Sequence, residues 1–221
     1  MSDVGLQAAD ILRVLDLASA VVFAITGALV ASRKQMDIIG FMWMGVITGV
    51  GGGTLRDLLL DAPVFWIVDP TPLALCLCAA GLVHFSAHLV ASRYRFLLYL
   101  DAFGMALVTT VGTAKALDMG TGALVAIGMG VVTAAVGGIL RDILGHEPSI
   151  LLRRDIYVTA AVLGSATYVL AITLGMPGPA ATAMAIGAGF GLRACAIRFD
   201  LFLPIFRPRP GRMPGHRGEV R

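Results

Sequence analysis

Long apolar runs separated by short polar or Pro/Gly breaks dominate the chain, and they are too long for strands or for the helices of an ordinary water-soluble core. Crossing the hydrocarbon layer takes about 20 mostly apolar residues. Runs of that order cover Ile11–Ala31, Ile38–Leu60, Pro72–Ala91, Phe96–Ala116, Ala123–Leu144, Ile156–Leu174 and Ala180–Phe199. The breaks carry expected punctuation, among them Asp69-Pro70-Thr71-Pro72, Met119-Gly120-Thr121-Gly122 and Gly175-Met176-Pro177-Gly178-Pro179. The pattern predicts an all-α integral membrane protein with seven transmembrane helices. After Pro204 the apolar period stops, and a Pro/Arg/Gly tail over 204–221 is expected to be disordered or to lie on the membrane surface.

Composition agrees: 57% of residues are hydrophobic, 14% are charged, and mean hydropathy is +0.86. A water-soluble fold cannot hide that much apolar surface, and 221 residues leave no room for a large soluble domain beside the spans. The net charge of +3 reads as a topology signal and not as nucleic-acid binding. Arg33/Lys34, Arg93/Arg95, Arg153/Arg154 and the tail arginines Arg207, Arg209, Arg212 and Arg217 fall on one side of a seven-span chain. The alternate loops carry neither Lys nor Arg. Cytoplasmic loops retain basic residues, so the N-terminus is expected outside and the C-terminus in the cytoplasm, with no cleaved signal peptide. Cys76, Cys78 and Cys195 all sit in apolar runs, where packing is the expected role.

The chain repeats itself at an offset of 85 residues. Leu15-Asp16 aligns with Leu100-Asp101, Gly27 with Gly112, and Met44-Gly45-Val46 with Met129-Gly130-Val131. The match is densest where Gly52-Gly53-Thr54-Leu55-Arg56-Asp57 meets Gly137-Gly138-Ile139-Leu140-Arg141-Asp142, and Pro63 meets Pro148. It joins special residues and not merely apolar ones, which marks a duplicated unit. An odd number of spans per unit inverts the second copy. The expected division is a first three-helix repeat over 1–92, an inverted second repeat over 93–176, a seventh helix over 177–203 and the basic tail over 204–221. Inverted repeats are typical of transporters and some channels, although duplication can also yield no more than a stable bundle.

The glycines Gly51, Gly52 and Gly53 lie within the second span, with Gly137 and Gly138 at the equivalent place in the fifth. Each costs about 1 kcal/mol of helix propensity against alanine, so a broken helix exposing carbonyls to a wet path is one expectation and close helix packing the other. Gly187 and Gly191 in the last span read as packing residues. Arg56-Asp57 and Arg141-Asp142 follow one turn later, still in apolar spans, where charges must face protein or water. Sequence neighbours point about 100° apart on a helix, so each residue is expected to need a further partner. Depth counting supplies one, predicting clusters Asp16/Arg56/Asp57 near the outer side and Asp101/Arg141/Asp142 near the inner. These charges either face a pore or lock helices in register. Lys115 either projects into the path or reaches the outer interface, and Thr48 and Thr133 offer hydroxyls to a passing cation or to their own helix. His84 and His88, four apart, have no evident third ligand, so packing is preferred to a metal site. Trp43 and Trp66 suit the interfaces. No cofactor is expected, and no nucleophile–base pair or phosphate loop points to an enzyme.

GGGTLRD at Gly51–Asp57 and VGGILRD at Val136–Asp142, spaced 85 apart in a seven-span chain, resemble the prokaryotic trimeric intracellular cation (TRIC) channels over the chain to about Phe199. That resemblance implies inverted 3+3+1 repeats in a homotrimer of the bacterial or archaeal cell (inner) membrane. It further implies a pore in each protomer that passes potassium, with sodium as a second candidate ion, and lipids as neighbours. It makes Gly51, Gly52, Gly53, Gly137 and Gly138 kink residues, with Arg56, Asp57, Arg141 and Asp142 beside them. Val136 departs from the pattern of Gly51, implying a milder second kink. Related sequences also carry a glycine-transporter name, so a secondary transporter of a small amino acid such as glycine is the alternative. The few aromatics near the glycines tilt the reading towards a channel.

Overall fold

The computed structural model describes residues 3–90, 94–147 and 156–204. Arg93, Pro148, Arg153, Arg154 and the tail from 205 onward, all used in the sequence argument, lie outside the described residues, as does the Arg95 side chain. The described residues form eight helices: α1 (Asp3–Arg33), α2 (Ile38–Leu59), α3 (Phe65–Val68), α4 (Thr71–Val90), α5 (Tyr94–Asp118), α6 (Ala123–Leu144), α7 (Val158–Thr173) and α8 (Gly178–Phe199). Six are long and apolar enough to cross a membrane, and the 16-residue α7 is a shorter apolar helix. Expected and observed bounds agree within a few residues except at α1, which continues back to Asp3, eight residues before the apolar run begins. The four-residue α3 was not anticipated: Phe65-Trp66-Ile67-Val68 is too short for any span-length pattern to register.

Local chemistry sets the ends. Asp37 caps α2, its Oδ1 accepting from the Gly40 amide at 2.8 Å. Gly120 and Gly175 take φ near +79° and +78° where the chain leaves α5 and α7, a conformation that glycine adopts without strain. Pro179 lies in the first turn of α8, where its missing N–H costs nothing.

Helices α1, α2 and α4 pack on one another, as do α5, α6 and α7; the groups meet along α1 against α5 and α2 against α6, while α8 lies on α7 and α5. Their interiors are built of small residues: Ala20, Ala24 and Ala28 recur every fourth position of α1, each at most 2% exposed. Large apolar side chains point outward instead, with Leu124 83% and Leu82 70% exposed, while the charged Arg56, Asp57 and Asp142 are buried. That arrangement suits hydrocarbon and not water. The expectation that Gly187 and Gly191 pack closely is not met within the chain, because a side chain added at either would touch nothing within 4 Å. Gly164 and Gly189 make the α7–α8 approach instead: added Cβ atoms would come within 3.2 Å of the Ala185 carbonyl and 3.3 Å of the Ala160 carbonyl.

Candidate functional site

The centre of the molecule is the crossing of α2 and α6. A Cβ on Gly52 would run into the carbonyl oxygen of Thr133, and one on Gly137 would come 2.6 Å from the carbonyl oxygen of Thr48. The two contacts exchange under the 85-residue shift. Gly51 receives the Leu140 methyl, Gly53 receives the Phe65 ring, and Gly138 is buried in α6. The expected break is absent: α2 and α6 continue as α-helix through all five glycines. The glycines let the two backbones approach closely. Thr48 and Thr133 flank the crossing with their hydroxyl protons committed, donating to the Met44 carbonyl at 2.6 Å and the Met129 carbonyl at 2.5 Å.

A charge cluster stands one turn beyond the glycines on each helix. In the first, Arg56 is fully buried; its Nε donates to Asp57 Oδ1 at 2.7 Å and its Nη1 lies 3.4 Å from Asp16 Oδ1. Lys115 Nζ reaches the same Asp57 oxygen at 2.7 Å, and Asp57 Oδ2 accepts from the Phe65 amide at 2.9 Å. In the second, Arg141 donates to Asp101 Oδ1 at 2.6 Å through Nη1, to Asp142 Oδ1 at 3.0 Å through Nε, and to the Thr26 hydroxyl at 3.3 Å. Each arginine thus gains the α1 or α5 aspartate expected from depth. It also binds its own sequence neighbour, so the neighbour and the further aspartate share each guanidinium. Lys115 does not stand alone; it completes the first cluster.

The clusters differ in access. Asp16 and Lys115 are 20% and 31% exposed, against 6% for Asp101 and Arg141. A cavity of about 370 Å³ opens onto the first, lined by Arg13, Asp16, Leu17, Pro63, Phe65, Val68, Asp69, Pro72 and Lys115. A neighbouring recess of about 270 Å³ shares Arg13, Asp16 and Lys115 and adds Asp118. At the mouth Arg13 meets Asp69 at 2.8 Å. The Thr71 hydroxyl and amide, joined by Arg13, hold the Asp69 carboxyl below its usual range. Sequence reasoning passed over Arg13, Phe65 and Asp69. The repeat itself held one unused signal: position 30, equivalent to Lys115, is a buried valine, so the duplication departs from symmetry at the open cluster. His84 lies edge-on to Phe41 and Phe85, an aromatic packing role.

A family model described as "Glycine transporter" matches residues 13–88 and again 98–173. The inner membrane protein YadS of Escherichia coli is 39% identical over 195 residues, covering 87% of this chain and 94% of that one. A membrane protein of Vibrio cholerae is 36% identical over 202 residues, covering 89% and 83%. Among solved structures, the TRIC trimeric intracellular cation channel orthologue from Rhodobacter sphaeroides superposes with a TM-score of 0.84 at 48% identity, over 86% of this chain and 99% of that one. A second TRIC cation channel, studied for conductance, gives 0.80 at 30% identity over 90% and 98%.

Proposed function

Because the chain belongs to the prokaryotic TRIC channel family, we propose that it is a cation channel of the bacterial inner membrane. It passes potassium, with sodium a second candidate ion, through a pore within each protomer of a homotrimer. The observation that carries this reading is the pair of buried Arg–Asp clusters flanking a glycine-built crossing, one of them opening into a charged vestibule. Charges buried in an apolar bundle are costly to keep unless they serve a polar path or hold it together.

The architecture that supports the reading is an inverted 3+3+1 arrangement. The family model matches twice at starts 85 residues apart, and the contacts of Gly52, Arg56 and Asp16 recur at Gly137, Arg141 and Asp101. The units are 1–92, 93–176 and 177–203, followed by the tail over 204–221. In this scheme Asp16, Arg56, Asp57 and Lys115 form the outer entrance, with Asp101, Arg141 and Asp142 the inner counterpart. Gly51, Gly52, Gly53, Gly137 and Gly138 set the helix approach beside the path, while Thr48 and Thr133 line it through acceptor lone pairs. The N-terminus faces outward and the C-terminus the cytoplasm.

The solved relatives are channels and not enzymes, and they weigh against the glycine-transporter alternative despite the model's description. Liposomes holding the purified protein test the reading. Potassium is expected to run down an imposed gradient without a co-substrate, beside no saturable uptake of labelled glycine. Saturable glycine uptake without potassium conductance overturns it.

A further inference from the structure

We propose that Phe65 is a plug at the inner neck of the vestibule, setting how readily water and ions pass from it into the bundle. Phe65 is one of the residues lining the vestibule. On its other side Cε1 lies 2.7 Å from where a Cβ on Gly53 would stand, so the ring edge rests directly on the α2 backbone. One turn deeper on the same face, about 6 Å along the axis, an added Cβ on Gly49 would come 2.7 Å from both Cys76 Sγ and the Ala20 carbonyl. Phe65 and Trp66 pack onto the cluster of Ala20, Ala24, Val50 and Cys76. The order inward from water is therefore the vestibule, Phe65, then Cys76.

The plug is tethered to the charge cluster. The Phe65 amide donates to Asp57 Oδ2 at 2.9 Å, while Oδ1 of that carboxylate takes Arg56 and Lys115. The Arg56 guanidinium carbon lies 5.5 Å from the Phe65 ring centroid. Trp66 Nε1 donates to the Thr54 hydroxyl at 2.8 Å, and the Arg13–Asp69 pair holds the far end of α3. An apolar ring at a narrow point resists wetting, and movement of the Asp57 cluster carries the ring with it. Gly53 then serves as the seat of the ring, because any side chain there displaces it.

The native thiol reports on the plug without reference to transport. In a C78A/C195A background only Cys76 remains, and it is fully buried. Proteoliposomes are treated with a membrane-impermeant, water-soluble thiol reagent. Modification is expected to be slow with Phe65 present, several-fold faster in F65A, intermediate in F65L, and unchanged in the lipid-facing control L82A. Potassium flux is expected to rise in the same order; this second arm alone rests on the proposed channel function. Equal Cys76 modification in the parent and in folded F65A, verified by thermal unfolding, overturns the plug whatever the flux. If F65A fails to fold, equal rates in the parent and F65L overturn it. Graded modification with no potassium flux in any variant supports the plug and overturns the channel reading. Robust flux with Cys76 indifferent to position 65 does the reverse.

Discussion

Arg56 and Arg141 each hold two carboxylates, but they do so unequally. Arg141 meets Asp101 at 2.6 Å in a closed site, whereas Arg56 meets Asp16 at 3.4 Å beside the vestibule. Removing one partner of a buried pair costs about 3–5 kcal/mol, because the remaining charge is stranded, and far less where water can replace the partner. D101N is therefore expected to lower the thermal unfolding temperature in detergent markedly and D16N only slightly; equal effects contradict the difference in access. Asp69 offers a pH test. Its carboxyl is held below the ordinary value of about 3.9, so its contribution is complete above that value and is lost as pH falls through the lowered one. D69N is expected to flatten that acid limb of an unfolding titration. Residue identity and depth announced the Arg–Asp partnerships in advance. They did not announce Lys115 on Asp57, because reach across from α5 to α2 depends on how the helix groups meet.

At the scale of elements, the glycines carry the lesson. Composition allowed a broken helix or a close crossing, and low helix propensity favoured the break. The crossing prevails: Gly52 and Gly137 admit each other's helix backbone while α2 and α6 stay helical through them. G52A is accordingly expected to destabilise by about 1–3 kcal/mol through overpacking, read as a fall in unfolding temperature. G187A, with nothing within 4 Å, is expected to be neutral or stabilising by up to about 1 kcal/mol through helix propensity. A loss at Gly187 equal to that at Gly52 would assign it a contact outside the single chain. The helix bounds were legible because span-length apolar runs are the strongest pattern a chain can carry. The four-residue α3 was not, because its fold depends on Asp57 accepting the Phe65 amide and Thr54 accepting the Trp66 indole.

For the whole molecule, the proposed orientation places the face bearing the basic loops in the cytoplasm. A fluorescent reporter fused after Arg221 is expected to glow, and a phosphatase inserted at Gly122 to be active; the opposite pair of signals inverts the proposed orientation. The amino-acid sequence by itself determined the membrane class, the spans, the internal repeat and the aspartate partners of Arg56 and Arg141. These follow from local composition, periodicity and depth, which need only one chain direction and one hydrocarbon thickness. Tertiary structure alone decided that the glycines join helices and do not break them, that one cluster opens to a vestibule while its twin is almost wholly buried, and that Phe65 both lines that vestibule and packs on the Ala20, Ala24, Val50 and Cys76 cluster. Those features arise where residues far apart in the chain compete for the same few ångströms, and no one-dimensional pattern records which of them wins.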